Sequence, residues 1–522
     1  MKAFYDVLVI GSGIAGLTAA IKLREAGIST LVISKEADPT ESNTKYAQGG
    51  IITQVPGDTP RQIMEDIHAA GMHWGSQESV RELATRGPQL VTDFLEGTVK
   101  TAFTRDPDGN TSYTGEAAHS MRRIAHFEDR TGEQIEQSLF TYATSTGVTI
   151  LPNHTVIDLI TNNHHSTDTQ EAYRTREVMG AYALDNQTGE VKRLSSRFVI
   201  LASGGIGNLY EHSTNPRGAT GDGISMAYHA GADIIHAEFV QFHPTLLYHR
   251  DIKRFLISEA LRGEGAKLVD RQGKPFMHKY SDQEDLAPRD VVSRAIFDQM
   301  ARQGSDYVLL DLAGNYRESV PIEQRFPLIH ETCAAGGIDI TREPIPVVPG
   351  AHYFCGGIKT DLHGRTSLQN LYAIGEVSCT GVHGANRLAS TSLLEGLLWA
   401  HLAAEDITEH IDETYHPERY ASIPEWSAPS LNQRFDPLLI KQDWKAIQLT
   451  MWNYVGIIRT PKGLQRARAD LAYYAHRIIQ FYREAELNRD IIELRHAITA
   501  SGIIAAAAQK RTRSIGCHFI QS

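Results

Sequence analysis

A chain of 522 residues is long enough for a large buried core and two to four domains. Its 41% hydrophobic and 22% charged content are ordinary for a soluble globular protein, and a net charge of −11 excludes a general nucleic-acid surface. Four widely spaced cysteines with no CxxC pair, and no run of about 18 apolar residues, speak against a disulfide framework, a zinc site or other metal site, and a membrane span.

Asp6 to Ile10 reads as a short buried parallel strand, entered too early to leave room for a signal peptide, so a cytoplasmic location is expected. The strand runs into Gly11-Ser12-Gly13-Ile14-Ala15-Gly16, followed by a helical pattern with Leu17, Ala20, Ile21 and Leu23 on its apolar side. Thr30 to Ser34 is a second strand. In that context the glycines are a dinucleotide fingerprint, allowing a tight turn, close approach of a pyrophosphate and tight helix–strand packing. The second strand ends Ser34-Lys35-Glu36. Its acid stands about one position late for a ribose contact, so Ser34 and Lys35 are candidates for the adenosine half, with Lys35 complementary to a phosphate.

Asn43 to Gly50 (NTKYAQGG) is polar and glycine-ended, unlike a core element. Residues 76 to 97 and 131 to 146 read as helical, with Pro88 as a break or first turn. A turn-rich, alternating stretch over 151 to 197 suggests a small antiparallel excursion. Phe198 to Ala202 returns as a buried strand ending in Ser203-Gly204-Gly205. Gly221-Asp222-Gly223 and a helical Ile224 to Ala230 follow.

From about 238 to 350 the prolines 244, 275, 288, 321 and 327 mark an inserted domain. Leu371 to Ile374 is a strand stopping at Gly375-Glu376. It leads through a polar loop carrying His383, Asn386 and Arg387 into a helix opened by Ser390, Thr391 and Ser392. After Pro417, Pro424 and Pro429 the chain turns helical, with apolar faces over 443 to 457, 463 to 482 and 489 to 508. The fold class that results is α/β: a discontinuous Rossmann-like domain (1–237 and 351–420), an inserted α+β capping domain (238–350) and a C-terminal helical bundle (421–522).

Three separated segments point at one cofactor: the fingerprint, the Ser203-Gly204-Gly205 turn and the Gly375-Glu376 strand end. A nicotinamide domain needs only the first, so all three favour FAD over NAD. Arg387, among small residues before a helix start, offers a planar fork for a carboxylate. Other candidates are His243 before Pro244, the Ser258 to Gly265 segment with Glu259 and Arg262, Arg289 at a helix start, and His352. Taken singly, each of these also has a plain structural reading as a core histidine or an ion pair.

In order along the chain stand FVQFHPT, SEALRGEGA, APRDVVSRAI, AHYFCGGI and GANRLASTSLLEG. With the fingerprint and YAQGG they resemble the flavoprotein family of fumarate reductases, succinate dehydrogenases and L-aspartate oxidases, most closely its oxidase branch. The resemblance implies FAD contacts by Gly11, Ser12, Gly13, Ile14, Ala15, Gly16, Lys35, Asn43, Thr44, Lys45, Tyr46, Ala47, Gln48, Gly49, Gly50, Asp222, Glu376, Ser392 and Leu393. It implies that His243, Ser258, His352 and Arg387 hold the carboxylates of a C4-dicarboxylate. Arg289 would be the proton donor or acceptor, with Glu259 and Arg262 as its relay. A permanently charged arginine could instead act by stabilising developing charge.

Two departures point within the family. Asn43 stands where membrane dehydrogenases carry the histidine that attaches FAD, so attachment here is expected to be non-covalent. Glu116, in TGEAAHS, resembles the oxidases' glutamate and would face the ammonium of aspartate, with Ala117 and Ala118 replacing the family's two glycines. The implied reaction is hydride transfer from L-aspartate to FAD, giving iminoaspartate, with oxygen or fumarate as terminal acceptor. Iminoaspartate is the precursor used by quinolinate synthase toward NAD, a functional link. The alternative is a soluble fumarate reductase or succinate dehydrogenase flavoprotein subunit.

Overall fold

The structure, a computed structural model, describes residues 4–116, 118–164, 169–317, 319–412, 420, 423–428 and 436–521. Ala117 and the turn signals at Pro417 and Pro429 lie outside the described residues.

The main sheet grows from the strand Phe4–Ile10, whose β-branched and leucine side chains are buried. It pairs in parallel with Thr30–Ile33 on one side and Val191–Leu201 on the other, and Thr149–Leu151 extends the first edge. Val191–Leu201 is one long strand, so the expected return at Phe198 to Ala202 is only its far end. Its first half pairs antiparallel with Val178–Asp185, which pairs with His154–Thr161. Its last residues pair in parallel with Leu371–Ala373. The antiparallel excursion is thus an extension of the same sheet, and the later strand re-enters beside it.

Two helices pack on one face of this sheet. Ile14–Glu25 follows the first strand, and Ser392–His410 follows the re-entrant one. Gly396 lets them meet closely: a Cβ there would lie 3.2 Å from Ile14 Cγ2. Leu393, Leu394, Leu397, Leu398 and Trp399 bury the second helix nearly all round. Pro88 does not break its helix. It sits inside Gln77–Leu90, and Val91–Thr98 continues as a π-helical stretch. Proline removes one N–H and crowds the preceding turn, yet the α-helix runs on past it to Leu90.

The inserted region forms a four-stranded antiparallel sheet in the order Val240–Leu247, Ile345–Phe354, Val308–Asp311, Lys267–Val269. Helix Arg289–Gln303 runs against it, Ser293 Oγ donating to Phe242 O at 3.2 Å. The divide expected at 350/351 falls inside the strand Ile345–Phe354, because that strand stays paired with Val240–Leu247 nearly to its end.

The tail folds as Pro437–Val455, Pro461–Glu484 and Arg489–Lys510, capped by the side chains of Asp436, Thr460 and Asn488. The last of these is long and apolar enough to cross a membrane by length and composition, yet 67% of its apolar window is buried against the rest of the protein. It also carries charges inward. Arg489 Nη1 donates to Glu36 Oε2 at 2.9 Å, and Glu493 Oε1 lies 3.0 Å from Lys35 Nζ.

Within the fingerprint, glycine packs directly on glycine. A Cβ on Gly16 would stand 2.0 Å from Gly11 O, and one on Gly11 would stand 2.2 Å from Ala202 O. Gly16→Ala is expected to cost about 3 kcal/mol, read as a lower urea midpoint, because backbone must move to admit the methyl.

Candidate active site

One continuous cavity runs from the nucleotide fold to the capping sheet. Its first end is lined by Gly11 to Ala15, Ser34 to Glu36, the 41–44 segment, Asp222 and Met226. The helix Ile14–Glu25 begins here, its Ile14 amide donating to Thr44 Oγ1 at 3.0 Å, and the helix N-terminus favours an anion. Lys35 is not a free cation for a phosphate, as it stands. Its Nζ lies 2.6 Å from Asp222 Oδ2 and 3.0 Å from Glu493 Oε1, and these two carboxylates outweigh burial and raise its pKa.

Next come the 46–50 segment, Ser203-Gly204 and Gly375-Glu376. Gly375 takes φ +65°, and a Cβ on Gly205 would stand 2.2 Å from Glu376 Oε1, so backbone approaches closely on both sides. Asn43 Nδ2 donates to Glu376 Oε2 at 2.6 Å, and the Phe354 amide donates to Oε1 at 3.0 Å. Burial overrides both and pushes the Glu376 carboxyl up to about 7. Gln48 Oε1 and Ser203 Oγ line the cavity, buried and, among the described residues, without a hydrogen-bond partner. Orphaned polar atoms beside a glycine cradle fit a long, polar, planar ligand such as FAD.

The far end gathers side chains from widely separated segments. The rings of His243 and His352 lie 5.3 Å apart. The Thr245 amide donates to His243 Nδ1 at 3.2 Å, which leaves Nε2 as the protonated nitrogen of a neutral ring. His352 Nδ1 is held by Thr214 Oγ1 at 2.8 Å. Burial, with Arg289, Arg262 and Arg387 nearby, drives the His243 pKa well down. Burial and Arg387 do the same to His352.

Arg289 Nε donates to Glu259 Oε2 at 2.6 Å, and Arg262 stands behind with Nη2 3.5 Å from Glu259 Oε1. Burial alone would lower the Arg289 pKa, but Glu259 and then Glu116 outweigh it, so its guanidinium stays charged. Arg387 is buried, stacks 4.7 Å over the Tyr353 ring and donates to Ser392 Oγ at 3.2 Å. Among the described residues no carboxylate is paired with it.

Glu116 reaches this end from a distant loop. Its Oε2 accepts from Ser390 Oγ at 2.7 Å, and a Cβ on Gly49 would stand 2.7 Å from its Oε1. His119 Nε2 lies 3.0 Å from Ala389 O, clamping the same loop. Ala118 holds φ +67°, the left-handed form that glycine adopts more easily, so the alanine at this position is tolerated with local strain.

The structure brings nearly all the expected residues to this cavity, including Ser258, Ser392 and Leu393. Three stand off it. Gly16 packs the helix on the strand, Lys45 pairs with Glu41 at 3.4 Å, and Arg262 sits in the layer behind Glu259 with Nη1 donating to Asp285 O at 2.5 Å. Sequence reasoning missed Thr214, Tyr353, Ser390 and Glu395. Two of them left a signal: Ser390, read as part of a polar helix start, and Glu395, a lone acid among Leu393, Leu394, Leu397 and Leu398.

Residues 6–393 match a family described as FAD binding domain, and residues 444–521 match the fumarate reductase flavoprotein C-terminal family. The L-aspartate oxidase of Pseudomonas aeruginosa is 40% identical, covering 99% of this chain and 95% of its own length. That of Vibrio cholerae is 37% identical over 98% and 95%. The chloroplastic L-aspartate oxidase of Oryza sativa is 37% identical over 99% and 81%. Among solved structures, a quinol-fumarate reductase has a TM-score of 0.85 at 29% identity, covering 100% of this chain and 93% of that one. Adenylylsulfate reductase from Archaeoglobus fulgidus, at a TM-score of 0.71 and 17% identity over 99% and 90%, shares the fold.

Glu376 makes the site's stability depend on pH. Its folded pKa of about 7 lies above the ordinary 4.5, so the native state holds the extra proton and loses stability as pH rises between those values. The stability of Glu376→Gln relative to the unaltered apoprotein is therefore expected to rise from about pH 4.5 to 7. Paired urea titrations across that range check the sign.

Proposed function

The chain belongs to the FAD-binding flavoprotein family that holds fumarate reductases and L-aspartate oxidases, and we infer from that membership that it oxidises L-aspartate to iminoaspartate. It is an FAD-dependent oxidoreductase of the L-aspartate oxidase type. Identity of 40% to an oxidase against 29% to a fumarate reductase structure favours this over the electron-transfer alternative. The observation that carries the substrate is the convergence of Arg387, Arg289, two neutral histidines and Glu116 at one end of the cavity.

When bound, FAD supplies a two-electron acceptor for the hydride that leaves the substrate. In this reading the rest is done by side chains. Arg387 takes one carboxylate of aspartate, and His243 and His352 donate to the other as neutral rings. Neutral donors hold an anion without adding charge that would have to be desolvated. Glu116 faces the substrate ammonium, a group that succinate and fumarate lack. Ser390 fixes the direction of that carboxylate.

Arg289 lies where charge develops and keeps its own protons because Glu259 is beside it. It stabilises that charge, with Arg262 steadying the glutamate. Asn43 offers no nucleophilic ring nitrogen, so FAD is held without a covalent bond. The product, iminoaspartate, is the substrate of quinolinate synthase on the route to NAD, and we place this chain at that first step.

Arg289→Lys keeps a charge but loses the fork that meets Glu259 and substrate together. It is expected to lose at least 100-fold in turnover, an order of magnitude typical of a lost charge stabiliser, while still binding succinate. Turnover within about twofold of the unaltered enzyme removes Arg289 from the reaction. Anaerobic mixing with L-aspartate is expected to bleach the flavin, with Glu116→Gln slowing this at least tenfold more than it slows fumarate reduction. Bleaching by succinate alone, or equal losses on both substrates, overturns the assignment to aspartate.

A further inference from the structure

Behind Arg387 lies a buried polar cluster that reaches the cavity only through Tyr353. Glu395, in the first turn of the helix Ser392–His410, is 1% exposed. Its Oε1 accepts from Thr380 Oγ1 at 2.5 Å, and its Oε2 accepts from Tyr353 OH at 2.8 Å. His383 Nε2 stands 2.8 Å from the same Oε2 and 3.1 Å from the Tyr353 hydroxyl. The tyrosine ring thus has its hydroxyl fixed by a carboxylate, and its face carries the Arg387 guanidinium at 4.7 Å.

Each part has a physical reason. A buried carboxylate needs its lone pairs filled, and the cluster supplies three hydrogen-bonding groups plus the first turn of a helix. Although burial would raise the Glu395 pKa, His383 and the hydroxyls of Thr380 and Tyr353 outweigh it, so the group stays ionised. A phenol that donates to an anion gains electron density on its ring, which strengthens its attraction for a cation above it. Among the described residues the Arg387 guanidinium makes one hydrogen bond, to Ser392, and its Nε is buried without a partner. Gln241 Nε2 holds the Arg387 carbonyl at 2.8 Å, fixing the backbone but leaving the side chain to be placed by the ring.

We propose that Glu395 is a positioning residue for substrate binding: through the Tyr353 hydroxyl it sets the ring on which Arg387 lies, and so the direction of the fork offered to a dicarboxylate. This rests on Arg387 being the carboxylate-binding group of the proposed function. It extends that reading from the group that touches substrate to the one that aims it. Because the effect passes through binding, it falls on KM and not on the hydride step.

The experiment uses the FAD-loaded full chain and succinate as probe, with dissociation constants read from the perturbation of flavin absorbance, so it does not depend on which substrate is oxidised. Glu395→Gln and Tyr353→Phe, both near-isosteric, are each expected to weaken succinate about tenfold and raise KM for L-aspartate by a similar factor. The turnover number is expected to stay within about twofold. In an Arg387→Gln background, Glu395→Gln is expected to have no further effect on succinate, since the group it aims is gone. An equal loss in both backgrounds, or unchanged succinate binding in Tyr353→Phe with folded protein by thermal melting, overturns the proposal. If Arg387→Gln itself leaves succinate binding intact, the carboxylate role of Arg387 fails and the positioning role fails with it.

Discussion

Burying the charge of Arg387 without a carboxylate partner is the constraint around which the substrate end is arranged. A lone guanidinium in a low-dielectric interior is unfavourable by several kcal/mol unless other groups replace its hydration. Here the Tyr353 ring and the Ser392 hydroxyl replace part of it. The remainder is left for a ligand, and an anion entering the cavity supplies it. The same positive field, with burial, keeps His243 and His352 neutral, so the site presents donors without adding further charge. Arg289 differs from Arg387 in having Glu259 at 2.6 Å, which balances its charge inside the protein. One cation is therefore committed internally and the other is held open.

The cofactor end follows the opposite rule, with its ions closed on one another. Lys35 sits between Asp222 and Glu493, and Arg489 bridges Glu36 and Glu493. Two of these partners come from the last helix, which thereby ties the tail to the end of the second strand. A ladder of this kind in a partly buried place has little net worth as pairs, but it fixes geometry, because breaking any one pair leaves a buried charge uncompensated. That gives the apolar helix Arg489–Lys510 a place in the nucleotide fold, where its apolar faces are buried and its first turn meets the end of the second strand.

Local features were well legible in the chain. The fingerprint could be read because one of its glycines is demanded by a contact a few residues away, Gly16 on Gly11, whereas the approach of Gly11 to Ala202 is set across a strand pair. The last two apolar faces read in the tail fall within helices Pro461–Glu484 and Arg489–Lys510, since apolar periodicity is a local signal, whereas the first helix begins six residues before 443, at Pro437. Less legible were places where one element serves two neighbours. The strand Val191–Leu201 is antiparallel to one partner and parallel to two others, so its alternating first half and apolar second half read as different elements. Pro88 read as a break because proline ends an isolated helix, whereas here the chain continues through a π-helical stretch.

What the sequence alone determined is the set of groups: a strand–glycine–helix cradle, an arginine among small residues, histidines beside rigid prolines and strands, and one glutamate in a polar loop. Their identities fix what each can donate, accept or carry, whatever the fold. The tertiary structure decided which of them meet and in what state. Glu116 and Ser390 are 274 residues apart, yet share a hydrogen bond. Arg289 has a carboxylate beside it and Arg387 has a ring, a difference no spacing in the chain encodes. Charge state and direction depend on burial and on the nearest partner in space, and those are properties of the folded chain.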